Sequence, residues 1–147
     1  IIRPLSRGRL WLRSADPAEH PVIDPHYLEE QADVTALLAS LKLSREVGEA
    51  KALSEFRARE IAPGPDVRTD EELLEYGMRT LITYHHQVGT CKMGIDNQAV
   101  VTPDLRVYGV PGLRVADASV MPAVTSGNTN AASIMIGERC ADFLLAH

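Results

Sequence analysis

Apolar residues follow two different rhythms along this chain, and the change between them is what most restricts its fold. Between residues 6 and 13 polar and apolar side chains alternate, with Leu10 and Leu12 on one side and Trp11 and Arg13 on the other. A period of two is the spacing of a strand with one buried face. From about residue 31 to residue 50 the spacing is helical. Val34, Leu37, Leu38, Leu41 and Leu43 make one broad stripe, with Asp33 near the start, where a helix dipole favours an acid. Strands and helices then interleave irregularly, which predicts the α+β class: an antiparallel or mixed sheet with flanking helices.

Proline and glycine set the boundaries. Ser14-Ala15-Asp16-Pro17 is a turn signature, and Pro21 to Pro25 enclose Val22 and Ile23 as a short edge strand, since proline lacks the N–H that a central strand needs. Residues 52 to 60 read as a further helical turn or two, ended by Pro63-Gly64-Pro65. Thr69 and Glu72 have the spacing of a capping box, and the helix after them carries Leu73, Leu74, Met78 and Leu81 on one side. Beyond it, Val100-Val101, Leu105 to Val107 and Leu113 to Val115 read as short strands or extended segments, divided by Pro103, Gly109, Pro111 and Gly112. Residues 116 to 127 read as a loop. A last helix runs from about residue 129 to 146, apolar at Ile134, Met135, Ala141, Leu144 and Leu145.

At 147 residues the chain is long enough to bury one core. Its net charge of -5 and scattered basic residues argue against a nucleic-acid surface. No apolar run approaches the roughly 18 to 20 residues of a membrane span, and nothing resembles a signal peptide. Two cysteines in no metal or disulfide spacing make a reducing cytoplasm the expected location. The start, Ile1-Ile2-Arg3-Pro4, reads as a piece of a longer polypeptide.

Two polar stretches carry the candidate chemistry. The first, Tyr84 to Gly94, holds two of five histidines, one of two cysteines and two of ten glycines. His86 is either a packed histidine or a base held where loop side chains project. Adjacent side chains in an extended segment point opposite ways, so His85 and His86 cannot both face one cleft. A Cys91–His86 nucleophile pair, as in a hydrolase, is the alternative chemistry; against it, Cys91 reads as a small packed hydrophobe, and so does Cys140. No metal site is expected, because these ligands lack zinc spacing.

The second stretch, Ser126-Gly127-Asn128-Thr129-Asn130, opens the last helix. Asn128 and Asn130 are good helix caps, and they also put small hydrogen-bonding groups at a positive helix end. Asp117 sits where a strand gives way to a loop, as either a solvated or a ligand-binding carboxylate. The two stretches are expected to meet and form one wall of a site. No Gly-x-Gly-x-x-Gly and no Walker loop is present, so this chain makes no nucleotide cradle of its own.

His86-Gln87-Val88-Gly89-Thr90-Cys91-Lys92-Met93-Gly94 resembles the His-Pro-x-Gly-Thr-x-x-Met-Gly motif of the glucose–methanol–choline (GMC) oxidoreductases. Gly112 to Pro122 is similar to that family's flavin-contacting segment, and Ser126 to Ala131 followed by Ile134 to Glu138 is similar to the stretch that ends its chains. Pro4 to Leu10 is similar to the start of its carboxy-terminal region. The resemblance implies the substrate-binding domain of an FAD-dependent alcohol oxidoreductase akin to choline dehydrogenase. Residues 1–110 would be the substrate-binding region and residues 111–147 a segment returning to the FAD domain of the parent chain, which is missing here.

The resemblance further implies His86 as active-site base, Asn128 as the second active-site residue, and Asp117, Ala118 and Asn130 around the flavin. The expected reaction is base-assisted hydride transfer from the carbon of a small-molecule alcohol to flavin N5. FAD would be held mainly by the missing domain, so the fragment by itself would be inactive. A non-catalytic substrate or interaction domain is the rival reading. One departure stands beside the base: Gln87 replaces the usual proline, which is expected to loosen the backbone there.

Overall fold

The computed structural model describes residues 1–146. The chain forms two compact units: one from Ile1, Arg3–Gly8 and Pro25–Ile82, the other from Ile2, Arg9–Asp24 and the chain from Thr83 onward. Its class is α+β, with helices and a small antiparallel sheet.

In the first unit, helix α1 spans Gln31–Glu49 and helix α2 spans Asp70–Thr80. The capping box forms as expected: Thr69 Oγ1 accepts from the Glu72 N–H at 3.2 Å, and the Glu72 carboxylate accepts from the Thr69 N–H at 2.9 Å. Leu37 of α1 and Leu73 and Gly77 of α2 are buried. A Cβ on Gly77 would lie 2.8 Å from Leu37 Cδ2, so the two helices meet closely there and a larger residue would require the Leu37 side chain to shift. Met78, expected on the apolar side, is instead exposed. It stands about 100° round the helix from Gly77, off the line that meets α1. Residues 52 to 60 are less helical than expected, with one 3-10 turn at Lys51–Leu53.

Asp33 does something its position in the sequence does not announce. It is buried, and its carboxylate accepts from the N–H of Leu5 and from both the N–H and the hydroxyl of Ser6. The acid in the first turn of α1 thus fastens the opening segment of the chain.

In the second unit, strand β1 (Arg9–Trp11) pairs antiparallel with β2 (Val22–Asp24) in the register Arg9↔Asp24, Leu10↔Ile23, Trp11↔Val22. The alternation in residues 6 to 13 predicts a longer, half-buried strand. The observed one has three residues, all exposed. Residues 93 to 114 make isolated bridges, Met93↔Val101, Val101↔Val107 and Arg106↔Arg114, in place of strands. Gly109 and Gly112, at φ 76° and 80°, turn the chain too often for a ladder to extend.

The core of this unit joins Val101, Leu105, Val120 and Met121 to Ile136 and Cys140 of helix α3 (Asn130–Leu145). The apolar face expected for α3 was another one: Ile134, Met135, Leu144 and Leu145 are exposed. Ala132, Ile136, Cys140 and Phe143, spaced four, four and three residues apart, supply the packed line instead. A helix apolar on most sides does not reveal by period which side packs. Among the described residues, no helix is long and apolar enough to cross a membrane.

Candidate active site

After a turn at His85, exposure alternates from His86 to Val88. His86 and Val88 are half-buried, Gln87 is exposed, and Val88 packs against the core. His85 takes a left-handed backbone conformation, φ 62°, and is exposed. The two histidines are therefore separated, with His86 turned inward. Thr83 Oγ1 brackets this turn, accepting from the His85 N–H at 3.1 Å and from Gln87 Nε2 at 2.8 Å. The glutamine expected to loosen the backbone beside His86 is thus tied back across it.

Gly89, at φ 91°, lets the chain turn under Lys92, whose N–H donates to the Gly89 carbonyl at 3.2 Å. The backbone then docks on a short 3-10 helix at Ala118–Val120: Cys91 N–H donates to Ser119 O at 2.9 Å, and Met93 N–H to Val120 O at 2.8 Å. Lys92 and Asp96 pair at 2.9 Å, and the Lys92 ammonium beside it holds the Asp96 carboxyl below its ordinary range.

Asp117 caps that 3-10 helix, with Oδ1 accepting from the Ser119 N–H at 2.7 Å. Its side chain is exposed, and Ala118 begins the turn. Asp117 and Ala118 are therefore linked through the adjoining residues Ser119 and Val120 to the stretch that carries His86.

The segment before α3 closes the arrangement. His86 Nδ1 lies 3.1 Å from Thr129 Oγ1, joining the two polar stretches across 43 residues of sequence. The other ring nitrogen, Nε2, is enclosed and has no hydrogen-bond partner among the described residues. Asn128 and Asn130 are exposed, and neither side chain hydrogen-bonds within the described chain. The N-cap of α3 is Thr129, not an asparagine, and no side chain caps the helix. Its first N–H groups are therefore left for an outside acceptor.

Thr129 and Thr83 are the residues that sequence reasoning passes over. A threonine before a helix reads as an ordinary cap, and nothing local says that its hydroxyl turns to a histidine far back in the chain. Cys91 is half-buried against the core, and neither nitrogen of His86 bonds to it. A thiol–imidazole pair is therefore not formed.

A family model described as GMC oxidoreductase matches residues 4–137. An alcohol dehydrogenase [acceptor] of Pseudomonas putida is 43% identical over 142 residues, 97% of this chain and 26% of that protein. An oxygen-dependent choline dehydrogenase of Cronobacter sakazakii is 45% identical over 141 residues, 96% of this chain and 25% of that protein. The crystal structure of pyridoxine 4-oxidase from Mesorbium loti superposes with a TM-score of 0.92 at 36% identity, covering 100% of this chain and 29% of that one. The chain thus spans about a quarter of the length of the curated relatives it matches.

Proposed function

The chain belongs to the GMC oxidoreductase family, and from that premise we propose that it forms the substrate side of an FAD-dependent enzyme oxidising an alcohol at its hydroxyl-bearing carbon. In this reading residues 1–110 are the substrate-binding region and residues 111–147 return to the FAD domain. The observation that carries it is the join between His86 and the segment opening α3, with Nε2 of His86 left unpartnered.

Oxidising an alcohol requires a proton to leave its oxygen and a hydride to leave its carbon. His86 takes the proton, the task for which imidazole is suited near neutral pH. Asn128, exposed and with its amide free of partners among the described residues, holds the substrate oxygen so that the carbon is aimed at the hydride acceptor. Bound FAD, the cofactor on which the family depends, supplies the hydride acceptor.

The residues present fit such a group. The uncapped N-terminus of α3 offers N–H donors and a positive dipole end to an electron-rich ring edge. Asn130 at that terminus, with Asp117 and Ala118 at the start of the 3-10 turn, would hold it in place. This chain supplies no phosphate cradle, so most of the cofactor's contacts belong to the rest of the polypeptide.

The test is flavin reduction in the complete enzyme under anaerobic conditions, using whichever of choline, benzyl alcohol and 1-butanol reduces it fastest. His86→Ala is expected to slow reduction about 10²-fold or more, and Asn128→Ala to slow the same step less. Reduction at the wild-type rate in His86→Ala would remove His86 from the chemistry. No reduction by any of the three would remove the alcohol reading.

A further inference from the structure

Thr129 occupies the N-cap of α3, where a threonine hydroxyl ordinarily accepts from the backbone N–H two or three residues on. Here it does not. Thr129 makes no cap bond, its backbone is already helical at φ -79° and ψ -8°, and its Oγ1 faces His86 Nδ1 at 3.1 Å. The residue is buried, and its carbonyl is pinned by both the N–H and the hydroxyl of Ser133, at 2.9 and 2.8 Å. The hydroxyl is therefore held in place by the helix while being withheld from it.

A neutral imidazole carries its one proton on either nitrogen, and the partner of one nitrogen decides the role of the other. We infer that Thr129 is a positioning residue whose hydroxyl accepts the Nδ1–H of His86, reserving the lone pair on Nε2 for the substrate proton. The inference rests on the base role of His86 given above. Acceptance by Thr129 suits both states of the ring: Nδ1–H donates to it before proton transfer, and still donates when the proton has arrived at Nε2. The opposite polarity, with the hydroxyl donating to Nδ1, would put the ring proton on Nε2 and block that atom. Nε2 is the nitrogen with no partner among the described residues, and so the one with unused bonding capacity.

The experiment pairs a spectroscopic readout with kinetics in the complete, FAD-loaded enzyme. With ¹⁵N-labelled histidine, and the His86 signal identified by its loss in His86→Gln, resting wild type is expected to show a protonated Nδ1 and an unprotonated Nε2. Thr129→Val is expected to lose that preference and to slow flavin reduction by choline, benzyl alcohol or 1-butanol about 10-fold. Thr129→Ser, which keeps the hydroxyl, should restore most of both. A protonated Nε2 in resting wild type overturns the inference without any variant needing to fold. So does Thr129→Val reducing at the wild-type rate, or Thr129→Ser no better than Thr129→Val. His86→Gln reducing at the wild-type rate would instead overturn the base role itself, which separates the two failures.

Discussion

Replacing Asp33 with alanine tests how the opening of the chain is held. Its carboxylate accepts from Leu5 N–H at 2.9 and 3.1 Å to its two oxygens, from Ser6 N–H at 2.7 Å and from the Ser6 hydroxyl at 2.5 Å. The Ser6 hydroxyl oxygen in turn accepts from Glu30 N–H at 3.1 Å. A hydrogen bond to a charged group contributes about 1.5–3 kcal/mol net. Three donors on one carboxylate are not additive, and water reaches the partly buried donors once the acid is gone. The expected loss is therefore about 2–3 kcal/mol, well short of the sum. At about 1.4 kcal/mol per factor of ten, residues 4 to 8 should open roughly 30- to 140-fold more often.

Amide hydrogen exchange at Leu5 and Ser6 in the complete polypeptide reads this directly, with Asp33→Asn expected to fall between alanine and wild type. Exchange at the wild-type rate in Asp33→Ala would show that the carboxylate does not hold the segment. The pH dependence gives a second check. Burial is the largest single influence on Asp33 and pushes its carboxyl up. The Ser6 hydroxyl, the N–H groups of Leu5 and Ser6 and the charge of Arg7 together outweigh it and hold the carboxyl below its ordinary value of 3.8. A depressed folded-state value means the stabilisation is complete above the ordinary range and is lost as pH falls through the depressed one. The clasp should therefore survive at a pH where a free aspartate is half-protonated, and fail only below it.

Thr83→Val removes the acceptor shared by His85 and Gln87 and should slow flavin reduction several-fold with little change in substrate affinity; an unchanged rate would show that the bracket does not aim His86. Gly89→Ala forces an L-residue to φ 91°, a cost of about 1–2 kcal/mol. Its Cβ would meet only Met121 O at 3.5 Å, so the loss should appear as a lowered Tm without steric disruption of the core. Leu73→Ala empties a site that is 1% exposed and should cost about 2–5 kcal/mol in denaturant unfolding. Cys91→Ala should leave flavin reduction near the wild-type rate, and a large loss would return the thiol to the chemistry.

What could be read in advance divides by the range of the interaction. The capping box at Thr69 and the bounds of α1 depend on residues three or four apart, and both were legible. The side on which α3 packs was not, because Ile134, Met135 and Leu144 are as apolar as Ile136, and only the neighbours decide. The exposure of β1 was hidden for the same reason: alternation shows that a strand has two unlike faces, without showing what covers either. Asp33 looked like a dipole partner because its donors lie more than 25 residues earlier. The motif around His86 was legible as a family pattern. The hydroxyl that meets His86 was not, since threonine at a helix start has a commoner explanation 43 residues from the true partner.

The ribbon of β1 and β2 has a consequence for handling the protein in a tube. Among the described residues each strand has a single partner, and Leu10, Trp11 and Ile23 stand exposed along the pair. Backbone groups on the outer edges can be met by a neighbouring copy, the first step of polymerisation by strand addition. Arg9 and Arg13 flank the apolar residues in sequence, so copies pairing in parallel register would set like charges side by side. Neutralising both arginines should lower the concentration at which the isolated chain begins to form β-rich aggregates, while added salt, by screening the same repulsion, should act in the same direction.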